Sequence, residues 1–451
     1  MDQQHQRAKA KLHSINNALE SGGLLEVKRT INTGLAPAEV AHLIESSPPK
    51  IRKMLWELIE KENEGEVLQH LSDEISGSFL NEMSAAQLVD LTAELDTDDV
   101  ADLLQQLPEH VSNDVLRGMD SEDRSRLEAV LSYPEDSAGG LMNTDTVTVR
   151  ADITLDVVLR YLRRHRSLPA MTDNILVINR SLEFIGILPI NKLLVSDLNQ
   201  TVREVMTTDT QIIHASMDEE DVAKIFERHD LVSAPVIDSA GKLIGRITID
   251  DVVDVIRDTA DHSLMSMAGL DEEEDTFAPA LKTGPRRAVW LGINLITAFI
   301  ASAVIGLFDQ TIERLVALAV LMPIVASMGG IAGSQVLTLV IRGQALGHIS
   351  SRNITWLMNR ELAVGFFNGL LWATVIAAIT FFWFDDLQLA WIIGAAIIIN
   401  FIVAALSGAA VPIILKRHNI DPALAGGVVL TTITDVVGFF SFLGLASIFY
   451  L

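Results

Sequence analysis

The chain has 451 residues, of which 49 % are apolar and none is cysteine, and it carries a formal charge of −25. That length exceeds one soluble domain, and the lack of cysteine excludes disulfides, thiolate metal sites and cysteine nucleophiles. Charge divides the chain: nine Lys/Arg and seven Asp/Glu follow Thr276, which leaves 25 against 52, a balance of −27, in the first 275 residues. Such a surface repels nucleic acid and anionic lipid and attracts cations, although solubility alone would also explain it. The opening MDQQHQRAKAKLHS has no apolar h-region, so the N-terminus is expected to stay cytoplasmic.

Residues 1–135 read as an all-α, acidic domain. Pieces such as AAQLVDLTAEL and DDVADLLQQL place apolar residues at i, i+3, i+4 and i+7. Helix-start signals separate them at Ser84, at Thr97-Asp98-Asp99 and at Ser121-Glu122-Asp123. Short helices in a right-angled or superhelical array are expected. Asp98, Asp99 and Asp102 gather at one helix start, where carboxylates suit the helix dipole and also offer hard oxygen ligands.

An internal repeat follows. Met142-Asn143-Thr144-Asp145 recurs as Met206-Thr207-Thr208-Asp209, 64 residues later, and the register holds through Arg164-His165 and Arg228-His229. Each copy carries short apolar strands around an Ile-Gly step, Ile185-Gly186 and Ile244-Gly245, then a closing helix. The layout resembles a tandem pair of α/β CBS domains, at 136–200 and 201–258, whose usual role is to bind adenosine nucleotides or sense ions. Gly245, Thr248 and Asp251 match that family's G-x-x-T-x-x-D ribose and phosphate motif. In the first copy Pro189 replaces the threonine, so the resemblance implies one nucleotide cleft per chain, with ATP as the expected ligand.

The stretch 250–275 reads as a connecting helix followed by a linker through Asp271–Asp275, Pro279, Gly284 and Pro285. Residues 276–451 then supply five apolar runs: Ala288–Phe308, Leu315–Ile341, Leu362–Phe384, Leu387–Leu415 and the stretch after Asp421. Each is long enough to cross a bilayer. Arg342, Arg352, Arg360, Lys416 and Arg417 fall in the inner loops if the N-terminus is cytoplasmic, which agrees with the positive-inside rule and puts the C-terminus outside. In the second span, Pro323 and Gly329-Gly330 should loosen the helix, and Gly329 with Gly333 forms a small-residue seam.

The last span is uncharged except for Asp435. An acid near mid-bilayer costs roughly 2.5 kcal/mol or more, so it is a candidate for an ion pathway before a structural role. Thr431 and Gly438, at i−4 and i+3, put a hydroxyl and a gap on its face.

This order of parts resembles the bacterial MgtE magnesium channel family over essentially the whole chain. The most specific matches are Tyr133-Pro134-Glu135…Ala138-Gly139-Gly140-Leu141-Met142, the Gly329–Gln335 stretch, and Asp421-Pro422-Ala423-Leu424 leading to Thr434-Asp435. The resemblance implies an inner-membrane homodimer whose pore forms between the second and fifth spans, with Asp435 holding hydrated Mg²⁺ and Gly427, Thr431, Gly438, Gly329, Gly330 and Gly333 lining it. It further implies Mg²⁺-sensing acids at Glu66, Asp98 and Asp102, at Asp218, Glu220 and Asp230, and at Asp251 and Asp254, which would lock the pore shut. This chain departs from the family at Ile331, a usual asparagine position, at Gly427, where some relatives carry a polar amide, and at His262-Ser263, where acids are expected. A divalent-cation secondary transporter and a membrane-anchored nucleotide sensor are the alternatives. No phosphate-cradling loop or nucleophile–base arrangement is evident, so an enzyme is not expected.

Overall fold

The computed structural model describes residues 23–450 apart from 93–94, 165–167, 271–273 and 351. The opening stretch, His165 and the first acids of the 271–275 run therefore lie outside the described residues. Two compact units emerge: one runs to Ala260 and takes in the short segment ending at Ala278, and the other holds Asp261 onward and everything from Pro279.

The first unit begins with short helices, from α1 (Leu24–Gly34) to α9 (Ser121–Leu131), each of 8 to 11 residues. Their sequence enforces the brevity. Pro37 and Pro49 occupy first turns, where a missing N–H costs nothing. At α9 the cap is Asp120, one residue before the expected Ser121, and its carboxylate accepts from the Glu122 and Asp123 amides. Beyond α1, each of α2 (Pro37–Glu45), α4 (Lys61–Leu68), α6 (Ala85–Thr92) and α8 (Glu109–Gly118) packs on the next, while α5 (Asp73–Leu80), α7 (Thr97–Gln105) and α9 form a second row. That alternation makes two rows of short helices over one shared apolar core.

The repeat forms two three-stranded sheets. β1 (Thr148–Arg150), β2 (Asn174–Ile178) and β3 (Phe184–Pro189) make the first; β4 (Ile213–His214), β5 (Ser233–Ile237) and β6 (Leu243–Thr248) make the second. In both, the first two strands pair parallel and the last two antiparallel, with a bulge at the same place, Val177/Ile178 and Val236/Ile237. The sheets also exchange edges. Asn143 pairs with Arg246 of β6, and Thr207, its counterpart, pairs with Ile187 of β3. The Ile-Gly steps owe their glycines to this exchange: a Cβ on Gly186 would lie 2.7 Å from the Thr207 carbonyl oxygen, and one on Gly245 2.8 Å from that of Asn143. Short helices α10 (Leu155–Leu162), α11 (Ile190–Val195), α12 (Val202–Val205) and α13 (Glu219–His229) cover the sheets. The second sheet shares one continuous core with the helical array, a cluster that holds Met142, Phe226 and Val252 together with Leu104, Leu127 and Val130.

The connecting helix α14 (Ile249–Met267) leaves β6 directly and ends in a Schellman turn. Leu270 N–H reaches the Met265 carbonyl, and Gly269 sits at φ +70° with no room for a Cβ beside the Trp290 indole. The following segment belongs to the first unit. Asp275 receives two hydrogen bonds from the Arg52 guanidinium, at 2.5 and 2.7 Å, and its amide donates to Glu74. Phe277 lies under the same guanidinium at 5.7 Å.

Among the described residues, the second unit contains five helices long and apolar enough to cross a membrane: α15 (Ala280–Gly306), α17 (Ala317–Ala345), α18 (Ile354–Phe384), α19 (Leu387–Arg417) and α20 (Pro422–Tyr450), with α16 (Asp309–Arg314) as a short turn between the first two. The expected linker around Gly284 and Pro285 is instead helical. Pro279 caps α15, and Pro285 falls in its second turn. Within this unit α19 is the most buried span and packs on α17, α18 and α20.

Candidate functional site

Asp435 lies half-buried on α20, at the wall of an open groove of about 710 Å³ between α17 and α20. Ala326, Ser327, Gly330, Ile331, Ser334, Gln335, Thr338 and Thr431 line the rest, so among the described residues Asp435 is its sole carboxylate. The periodicity explains the lining: 327, 331, 334, 335 and 338 repeat at three and four residues, one stripe of α17. Small residues and hydroxyls leave width and lone pairs where Leu or Phe would fill the space. Thr431 turns its hydroxyl to the Gly427 carbonyl at 2.9 Å, so its own oxygen remains free to accept from water.

The predicted glycines divide into two classes. Gly330 faces the groove, with nothing within 4 Å of where a Cβ would stand; the others named in the seam are packing sites. Gly333 receives Leu430, and Gly329 and Gly438 both receive Asn400. Gly427 does not line the groove, although open space surrounds it. Asn400, overlooked in the sequence, sits fully buried in α19. Its Nδ2 donates to the Val325 carbonyl at 2.9 Å, while Oδ1 is buried without a hydrogen-bond partner among the described residues. A buried acceptor left unmet by protein costs about 1–3 kcal/mol. The available signal was an amide in the middle of the uncharged Leu387–Leu415 run.

A second site lies in the first unit, where α7 meets the start of α14. One carboxylate oxygen from each of Asp96, Asp98 and Asp99 lies within 4.8 Å of the others. Asp98 is buried and accepts from Asn143 Nδ2 at 3.2 Å. Burial, then the charges of Asp251, Asp99 and Asp96, push its carboxyl well above the usual range. Burial followed by Asp96, Asp250 and Asp254 raises Asp99 to about 6. Burial and then Asp250 raise Asp251 to about 7, against the pull of its hydrogen bonds from Thr248. Asp102, at the rim, is pushed up to about 8 by being hemmed in and by Asp99 and Glu135. Asp254 is largely exposed and pairs with Arg257 at 3.2 Å, so any rise from burial is opposed by that cation. Asp98, Asp99 and Asp251 are thus acids gathered with little water around them, an arrangement that favours protons or a divalent cation.

Of the expected sensing residues, Asp98, Asp102, Asp251 and Asp254 thus meet along one seam. Glu66 is exposed on α4. Asp218 caps α13 by accepting from the Glu220 amide, Glu220 pairs with Lys224, and Asp230 ends α13 in a left-handed conformation. Beside them Glu219 is raised to about 7 by burial and then by Asp136, Asp218 and Asp258, a set of acids apart from the Asp96–Asp99 group. Asp99 was singled out from the sequence with Asp98 and Asp102, whereas Asp96 and Asp250 were not, because a local acidic start of a helix looks the same as ordinary dipole capping.

The G-x-x-T-x-x-D residues have internal work. Gly245 makes room for Asn143, and the buried Thr248 hydroxyl donates to Asp251 at 2.9 Å and also to Asp250. The Thr248 amide donates to Asp251 as well, at 3.3 Å, which makes the pair a cap on α14. A nucleotide there would share both side chains with the acidic seam.

Comparison with known proteins gives three family models. One described as a divalent cation transporter matches residues 322–445, one described as an MgtE intracellular N domain matches 35–136, and the CBS domain matches 138–197 and 202–258. The chain is similar to the magnesium transporter MgtE of Bacillus subtilis, 27 % identical over 421 residues and 93 % of both chains. It is similar to that of Thermus thermophilus, 29 % identical over 441 residues, 96 % of this chain and 97 % of the other. Among solved structures, one of the cytosolic domain of the Mg²⁺ channel MgtE in complex with ATP is 30 % identical, with a TM-score of 0.49, covering 54 % of this chain and 99 % of that one.

Proposed function

The chain belongs to the MgtE family of divalent cation transporters, and we propose that it is a Mg²⁺-selective channel for magnesium uptake, shut by Mg²⁺ bound on its acidic soluble part. The observation that carries this reading is the groove with Asp435 as its single carboxylate among the described residues. The groove is open along one side, and a second copy related by a two-fold axis would close it and supply a second Asp435. Mg²⁺ gives up its water shell reluctantly and is held well by one or two carboxylates with several waters retained. Hydroxyls of Ser327, Ser334, Thr338 and Thr431 and the Gln335 amide would bond those waters. The chain is a multi-pass membrane protein; the distribution of Lys/Arg supports a cytoplasmic N-terminus and an outer C-terminus, and the family likeness supports the inner membrane as its place.

Closure is driven by the seam. Mg²⁺ between Asp96, Asp98 and Asp99, with Asp102, Asp251 and Asp254 around it, would neutralise a face that repels itself, and so favour the arrangement in which α7 and α14 are joined. A ligand shifts such an equilibrium only by its differential affinity, and a seam assembled from two elements binds only when they meet. ATP, through Thr248 and Asp251, is the proposed second regulator at the same place.

The test is flux into proteoliposomes with a Mg²⁺-sensitive dye and single-channel recording. Asp435→Asn, which keeps the shape and removes the charge, is expected to lower Mg²⁺ flux steeply. Unchanged flux and cation preference in a folded Asp435→Asn protein would reduce Asp435 to a structural acid, and transport without unitary currents would make the protein a carrier.

A further inference from the structure

We infer that Asn400 is a positioning residue for the pore: its amide fixes the spacing of α17 and α20 at the level of Asp435, and through that spacing sets which cation passes. The inference rests on the pore reading above. Three observations converge on this amide. It is fully buried in α19, the span that packs on both groove-forming helices. Its Nδ2 holds the Val325 carbonyl at 2.9 Å, immediately before the groove residues Ala326 and Ser327. Both groove helices carry a glycine at the contact: a Cβ on Gly329 would lie 2.2 Å from Nδ2, and one on Gly438 2.8 Å. Gly329 precedes groove-lining Gly330, and Gly438 lies three residues from Asp435. Side chains at those glycines would push the helices off α19, and a leucine at 400 would release the Val325 carbonyl. An acceptor is left unpaired at Oδ1, a cost that makes sense when the amide is retained for geometry.

A hydrated ion reads the width between the carboxylate and the opposite wall. A small displacement of α17 against α20 should therefore change the ratio of permeabilities before it abolishes transport. Asn400→Leu, nearly the same size, is expected to change the Mg²⁺-to-Ca²⁺ flux ratio of the full-length protein in proteoliposomes by roughly threefold to tenfold, the range a single buried hydrogen bond commands. In an Asp435→Asn background the same substitution should leave the ratio where Asp435→Asn alone puts it, because the carboxylate it positions is gone. Gly438→Ala, which presses on the amide from the other side, should move the ratio as Asn400→Leu does and serves if that variant does not fold. Equal loss of Mg²⁺ and Ca²⁺ flux, with the ratio unchanged in both variants, would mean that Asn400 only stabilises the bundle and overturn the inference. An additive effect in the Asp435→Asn background would overturn it too. Failure of the pore reading itself would show differently, as an Asp435→Asn protein with normal flux and ratio.

Discussion

Asp251→Asn tests the seam most directly, because it removes one charge and keeps the cap. An asparagine oxygen can still accept from Thr248, so the start of α14 should hold. Raising a carboxyl from 3.8 to about 7 corresponds to about 4 kcal/mol against the assembled seam once the group is ionised, at about 1.4 kcal/mol per tenfold. Partial solvent access and neighbours that titrate with Asp251 reduce this to about 2 kcal/mol. The sign follows from the direction. With its carboxyl raised on folding, Asp251 leaves stability intact below about 4, and that stability drains away as pH rises through about 7. Asp99 and Asp102 act the same way up to about 6 and about 8. Without divalent cations the wild-type seam should therefore be tighter at pH 6 than at pH 8.5, and Mg²⁺ should remove most of the difference by replacing the protons. The assay is amide hydrogen exchange along Thr97–Gln105 in full-length protein, corrected for the intrinsic pH dependence. At pH 8 without Mg²⁺, Asp251→Asn should slow exchange there by roughly thirtyfold, the equivalent of about 2 kcal/mol, and Mg²⁺ should then add less protection than it does in wild type. A variant with wild-type pH dependence and the same gain from Mg²⁺ would refute the seam as the cation's site.

Two other substitutions separate roles that share residues. Thr248→Ala deletes the hydroxyl that caps α14 and should cost about 1 kcal/mol of stability in thermal unfolding; calorimetry with ATP should also show weaker binding, and equal binding would leave the motif as a cap alone. Arg52→Gln leaves Asp275 buried without its guanidinium, a loss of about 3 kcal/mol. Protease cleavage between Gly269 and Pro279 should then rise sharply, and an unchanged rate would show that the Asp275 segment is held by other contacts.

The parts legible in the sequence are those whose signal is local. Hydropathy located the spans, since lipid permits little else than a long apolar helix, and the repeat was visible because its two copies keep one register from Met142 and Met206 onward. Local reading failed where a residue's partner is remote. Nothing near Asn400 in the sequence announces that Gly329 and Gly438, tens of residues away on either side, leave room for it. The same holds for Asp275, whose partner Arg52 is 223 residues distant. Among the acids, Asp98 and Asp251 could be named by resemblance, but that burial raises Glu219 on α13 could not be read from its neighbours in the chain. The start of α15 was misjudged because a proline and a glycine look like a linker, although Pro279 in fact opens the helix.

The exchange of edges between the two sheets governs how the soluble part can be made. The first sheet lacks a neighbour for Ile187 until Thr207 has been synthesised, and Asn143 must wait for Arg246, about a hundred residues later. Until then the outer edge of β3 stands open, an edge of the kind that captures foreign strands. Neither half is a stopping point. The exchange is complete only when β6 is in place, so the pair should finish folding in one late step dominated by distant contacts, and slowly for its size. A chain cut between the repeats would lose both edges at once and should aggregate instead of leaving one working half.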